Sequence, residues 1–237
     1  MANKIVSSIP NTITTCNLLS GCIACIMALK GFELVGPFAG WQWACYFILL
    51  AAVFDYFDGA AARMLKAYSE LGRELDSLSD LVSFGVAPAF VMFSVMNHFL
   101  GESVFNYAAL FIPAMGALRL ARFNIADAGK TTFRGLPIPS NALFWVGLAA
   151  WISRPEMNIA CPSRWVLILM MVCVSLLMVS NIPMFSLKFH NFNINENFKR
   201  YVLMFAAVLF VALYGLAGCS WVIVLYMLIS LFTRDRA

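Results

Sequence analysis

The stretch that decides the reading is Asp55–Asp80, DYFDGAAARMLKAYSELGRELDSLSD. It sets Asp55, Asp58, Asp76 and Asp80 into a 237-residue chain in which Asp, Glu, Lys and Arg make up only 12% and hydrophobic residues 62%. A helix over the first half puts Asp55, Asp58, Gly59 and Ala62 on one face. Gly72, Asp76 and Asp80, spaced four apart, form a second stripe on the following helix. Two helices that bring these stripes together build one cluster of carboxylates, and such a cluster calls for a cation.

Outward from that stretch the chain is apolar, with a mean hydropathy of +0.83. This places it among integral membrane proteins and leaves no room for a separate soluble domain. The expected fold is all-α: a polytopic helix bundle of about eight spans at about 20 residues each, forming a single membrane domain over 1–237. MANKIVSSIPN reads as an interfacial lead-in, with Pro10 and Asn11 opening the first helix. The spans are Thr12–Leu29, Trp41–Arg63, Gly72 through Val95 with an interruption at Pro88, Phe105–Phe123, Asn141–Ile152, Trp165–Val179, Tyr201–Leu216 and Ser220–Phe232. The turn Gly215–Gly218 makes the last two a hairpin. The first span is read as uncleaved.

Charge supports the count. With eight spans and both termini on one side, thirteen of the sixteen Lys and Arg share that side: Lys4, Arg63, Lys66, Arg73, Arg119, Arg122, Lys130, Arg134, Lys188, Lys199, Arg200, Arg234 and Arg236. Lys30, Arg154 and Arg164 fall opposite. The positive-inside rule makes the crowded side, and the aspartates with it, cytoplasmic. No basic run suited to nucleic acid is present. Cys22 and Cys25 form a C-x-x-C that no second pair or histidine completes, so helix packing is its reading. Cys161 and Cys219 lie near external loops, where a disulfide is allowed but not indicated.

A carboxylate at the centre of a membrane helix costs about 2.5–3.5 kcal/mol, and four cost on the order of 10 kcal/mol before mutual repulsion. Oxygen ligands without His or Cys suit Mg²⁺, Mn²⁺ or Ca²⁺, and two divalent ions balance four carboxylates. Gly59 and Gly72 clear space for a ligand beside the acids, and Arg63 offers a forked cation to a phosphate. The competing reading, helix-end charges paired with Arg63, Lys66 and Arg73, suits each acid singly but not the complete spacing.

That spacing, Asp55-x₂-Asp58-Gly59-x₂-Ala62-Arg63-x₈-Gly72-x₃-Asp76-x₃-Asp80, resembles the CDP-alcohol phosphotransferase signature without a gap or substitution. The resemblance implies a membrane enzyme that displaces CMP from a CDP-linked lipid with an alcohol. It implies that Asp55, Asp58, Asp76 and Asp80 hold two Mg²⁺ or Mn²⁺ ions and that Asp80 is also the general base. Gly59, Ala62, Arg63, Gly72 and Ser77 would line the CDP-diacylglycerol site. Thr14 and Asn17 either reach the nucleotide or bond between helices. A homodimer is implied by the resemblance alone.

The extension DSLSDLVSFGVAP over Asp76–Pro88 looks like the branch of that family that makes phosphatidylserine. So do Pro10-Asn11 with Asn17, LRLARFN over Leu118–Asn124 and GLPIP over Gly135–Pro139. These motifs lie within 1–186; the helix pair in 199–237 carries no distinctive residues. L-serine is therefore the expected acceptor, with glycerol 3-phosphate or an inositol phosphate as alternatives. A cation transporter is the remote one. Arg119 and Arg122 could clamp the serine carboxylate, and Asn124 and Ser83 could meet its ammonium or hydroxyl. Lys130, Arg134 and Lys188 are weaker candidates. The expected location is a bacterial cytoplasmic membrane, with the site at its cytoplasmic face.

Overall fold

The computed structural model describes residues 4–126, 135–154, 161–182, 184 and 194–232. Lys130, Arg134, Lys188, Arg234 and Arg236 lie outside the described residues. Helix α1 spans Lys4–Lys30 and carries Pro10 inside it. The expectation that Pro10 opens the helix is thus corrected. Pro10 withdraws one backbone donor, and α1, packed against the next two helices of the chain, continues through it. A small antiparallel hairpin, β1 (Leu34–Val35) and β2 (Phe38–Ala39), turns the chain into α2, Gly40–Leu65. The expectation of an all-α chain did not include it. Gly36 sits at φ 66° in the turn, where glycine is the least strained residue.

Helix α2 stops at Lys66, which adopts a left-handed cap at φ 50°. Ser69 then caps α3, Glu70–Asp80, its hydroxyl accepting from the Gly72 N–H at 3.0 Å. The third span is not broken at Pro88. It runs from α3 through a π-helical segment, Leu81–Val86, into α4, Ala87–Leu100. The Ala87 N–H reaches back to the Val82 carbonyl, so the wider register comes just before the proline that cannot donate. A 3₁₀ turn, Val104–Leu110, leads into α5, Phe111–Ala126. Then follow α6 (Ile138–Ile152), α7 (Arg164–Val179), α8 (Ile194–Tyr214) and α9 (Gly218–Phe232). Gly215, at φ 54°, folds α8 back against α9 as the anticipated hairpin.

Among the described residues, five helical segments are long and apolar enough to cross a membrane: Ser8–Lys30, Gly40–Leu65, Glu70–Leu100, Val104–Ile125 and Asn197–Leu231. Helices α6 and α7 are apolar but shorter, at 15 and 16 residues. The architecture is an α-helical membrane bundle. Its centre is α4, whose Ala89, Val91, Met92, Val95 and Met96 are fully enclosed, while Leu19, Leu29, Phe205 and Val208 face outward. All seven cysteines are free thiols, Cys161 and Cys219 included.

Close packing is set by small residues. A Cβ on Gly147 of α6 would stand 2.2 Å from the Ser220 backbone nitrogen of α9. Gly147→Val is expected to push α9 off α6 and destabilise the fold by about 1–3 kcal/mol or more. A thermal melt of the purified protein in detergent measures it, and an unchanged midpoint would refute the contact.

Candidate active site

The reversal between α2 and α3 brings the two aspartate stripes together. One carboxylate oxygen each from Asp55, Asp76 and Asp80 lie within 4.8 Å of one another. Asp58, one helical turn after Asp55, stands outside that triad but within electrostatic reach of all three. Asp58 and Asp80 are buried. Oδ2 of Asp58 and Oδ1 of Asp76 are enclosed without a hydrogen-bond partner. None of the four forms a salt bridge with a basic side chain among the described residues; Arg73, on the same helix as Asp76, instead pairs with Glu74 at 3.3 Å. At such separations each like-charged pair repels by about 3 kcal/mol at an effective dielectric near 20. An all-oxygen donor set with orphaned, uncompensated carboxylates fits a hard divalent cation.

Beside the triad opens a cavity of about 510 Å³ between the start of α1, the end of α2 and the start of α3. Thr14, Asp58, Gly59, Ala62, Arg63, Gly72 and Asp76 line it, all singled out from the sequence. Asp76 alone belongs to both the triad and the cavity wall. The Arg63 guanidinium folds back over Gly59, 3.4 Å from where a Cβ would sit. Thr14 donates its hydroxyl to the Pro10 carbonyl at 3.0 Å and stands beside Asp58.

The wall also includes Pro10, Asn11, Tyr68, Ser69, Glu70 and Arg73, which were not proposed as site residues. Pro10 and Asn11 were marked by the resemblance. Tyr68–Arg73 fall largely in the unspecified spacer before Asp76, so only the helix reversal reveals them. A Cβ on Gly72 would meet Asn11 Oδ1 and Ser69 Oγ, each at 2.9 Å. Gly72→Val is expected to narrow this mouth and raise the KM of a substrate that enters the cavity about tenfold, with a smaller change in kcat. Steady-state kinetics measure it, and an unchanged KM removes Gly72 from the pocket's working wall.

Other residues named from the sequence fall elsewhere. Asn17 donates to Asp80 Oδ1 at 3.3 Å, which puts it behind the triad rather than in the cavity. Ser83 is fully buried and donates to the Asn17 carbonyl at 3.0 Å. A Cβ on Gly21, one turn after Asn17, would lie 2.3 Å from Ser83 Oγ, so α1 crosses the π segment with no spare room. Ser77 pairs with Asn124 of α5, whose Nδ2 donates to the Ser77 hydroxyl at 3.0 Å. Arg119 and Arg122 do not act as one fork here. Arg122 donates to the Val179 carbonyl at the end of α7, at 3.0 Å. Arg119 lies within electrostatic reach of Asp80, and its Nε is buried without a partner.

A sequence profile described as CDP-alcohol phosphatidyltransferase matches residues 7–179. The chain is 36% identical over 179 residues to the CDP-diacylglycerol–serine O-phosphatidyltransferase of Methanocaldococcus jannaschii, covering 76% of this chain and 74% of that protein. It is 40% identical over 152 residues to the protein of the same description from Saccharomyces cerevisiae, covering 60% and 53%. It is 32% identical over 183 residues to the archaetidylserine synthase of Methanothermobacter thermautotrophicus, covering 76% and 71%. The matched stretch thus spans about half the length of the yeast relative.

Proposed function

The chain belongs to the CDP-alcohol phosphatidyltransferase family, and from that premise we propose that it transfers the phosphatidyl group of CDP-diacylglycerol to L-serine, giving phosphatidylserine and CMP. The observation that carries the reading is the junction of the Asp55–Asp76–Asp80 triad with the cavity that holds Arg63, through the shared wall residue Asp76. The relatives' descriptions favour serine as the acceptor. Arg63 would pair with the diphosphate, and Gly59 and Gly72 would let it approach the helix backbones. Asp80, one oxygen held by Asn17, would take the proton of the serine hydroxyl as its oxygen bonds to the phosphatidyl phosphorus and the bond to CMP breaks. Two Mg²⁺ or Mn²⁺ ions, held by Asp55, Asp58, Asp76 and Asp80, would supply charge neutralisation for the diphosphate and the departing CMP.

In this reading the chain is one domain that crosses a bacterial cytoplasmic membrane eight times, with both termini and the site at the cytoplasmic face. The charge distribution supports it, and so does the α8–α9 hairpin, which returns the chain to the side it left. Helices α6 and α7 reach about 23 Å, which a locally thinned bilayer accommodates. Pairing into a homodimer follows from the family resemblance and is testable by cross-linking.

The test offers purified protein labelled CDP-diacylglycerol with Mg²⁺ or Mn²⁺ and, in turn, L-serine, glycerol 3-phosphate and an inositol phosphate. CMP release and a labelled lipid are expected with serine. Turnover confined to a phosphorylated acceptor overturns the serine assignment, and cation flux without CMP release overturns the transferase.

A further inference from the structure

A second cavity, of about 310 Å³, opens at the other end of the bundle from the aspartates, between the end of α1, the end of α4 and the loop that follows α4. Along α1, Ala28 in its wall stands about 21 Å from Thr14 in the first cavity. Leu29 and Phe32 lie on its apolar side, and Ser94, Asn97, His98 and Glu102 on its polar side. No Lys or Arg lines it among the described residues.

The polar side is held from behind. Asn106, fully buried in the 3₁₀ turn, donates from Nδ2 to Asn97 Oδ1 at 2.6 Å and to the Gly101 carbonyl at 3.0 Å. Arg164 of α7 donates in turn to Asn106 Oδ1 at 3.1 Å and to the Leu100 carbonyl at 2.7 Å. The Asn97 oxygen is thereby spent, while its N–H groups have no hydrogen-bond partner among the described residues. Glu102, exposed at the mouth, has neither a hydrogen bond nor an ion pair among the described residues. The wall therefore offers one carboxylate to a cation and, beside it, the Asn97 N–H groups and the Ser94 hydroxyl to an oxyanion, which together complement a zwitterion.

Two further contacts narrow the ligand. The His98 ring lies flat on Phe32, centroids 3.7 Å apart at 12°, so one face of each ring is covered. A cage of open ring faces for a quaternary ammonium is not formed there, whereas the N–H groups of a primary ammonium suit the Glu102 carboxylate. Outward, Leu29 is 69% exposed, and Phe99, 5.5 Å from the Phe32 ring, is 40% exposed. They continue the wall as apolar surface on a membrane bundle, the setting of an acyl chain.

We propose that this cavity binds the headgroup of a primary-ammonium phospholipid, its ammonium on Glu102, its phosphate at Asn97 and Ser94, and its acyl chains along Leu29 and Phe99. The site is separate from the aspartates and stands independently of the transferase reading.

The test follows lipid binding to the full chain in detergent by native mass spectrometry, with dioleoyl phosphatidylethanolamine, phosphatidylcholine and phosphatidylglycerol added in turn. Phosphatidylethanolamine is expected to bind about tenfold more tightly than either of the others. Glu102→Gln is expected to weaken its binding about tenfold, and Glu102→Lys to shift the preference to phosphatidylglycerol. Because Glu102 is exposed and unpartnered among the described residues, neither substitution disturbs the packing, and the difference from wild type isolates this cavity from any lipid held near the aspartates. Equal affinity for the three lipids, or a phosphatidylethanolamine affinity unmoved by Glu102→Gln, overturns the site. Displacement of the lipid by an equimolar amount of O-phosphoethanolamine assigns the cavity to a soluble zwitterion and overturns the lipid.

Discussion

On the proposed function, Asp80→Asn is expected to lower serine-dependent CMP release by about 10²- to 10⁴-fold, the range for removal of a positioned general base. The proposed function gives the proton-transfer step to Asp80. It is buried, and Asn17 holds one of its oxygens at 3.3 Å. Asparagine keeps the shape and one oxygen donor but cannot accept the proton. Mn²⁺ binding, followed by paramagnetic resonance on the same preparation, should therefore weaken far less than turnover does. That contrast separates loss of the base from loss of the site. Turnover within a few-fold of wild type would remove Asp80 from the proton-transfer step.

The aspartates were legible because their information is local. Four acids at helical spacing, with glycines beside two of them, are anomalous in an apolar chain whatever the rest of the fold does. The cavity wall was half legible for the same reason. Gly59, Ala62, Arg63 and Gly72 lie in the spaced pattern, whereas Tyr68, Ser69, Glu70 and Arg73 depend on the left-handed turn at Lys66 and the cap at Ser69.

Long-range pairings could not be read. Ser77 meets Asn124 across 47 residues and Ser83 meets Asn17 across 66, and nothing in either neighbourhood announces its partner. The two prolines misled in one direction. Each looks like a helix boundary on local grounds, yet one lies inside α1 and the other follows a π segment that keeps the third span continuous. In both places packing against neighbouring helices outweighs the loss of a single backbone hydrogen bond.

Substitution within the carboxylate set should divide along the geometry rather than affect all four positions alike. Asp76→Ala is expected to reduce CMP release by about 10²–10³-fold or more and to weaken both Mn²⁺ and nucleotide binding. Asp76 contributes an oxygen to the triad and also lines the 510 Å³ cavity, so its loss damages both at once. Asp55→Ala removes an oxygen from the triad but nothing from the cavity wall. Its metal binding should fall while CMP binding measured in chelator stays near the wild-type value. Asp58→Ala does the converse, altering the wall while leaving the three oxygens within 4.8 Å. Titration calorimetry with Mn²⁺, and separately with CMP in EDTA, reads the two properties apart. Identical losses for all three variants would mean that the four acids form one undivided centre when occupied, with Asp58 drawn in as a full ligand. A graded pattern, with Asp76 worst on both axes, would identify it as the residue through which cation and nucleotide are held in register.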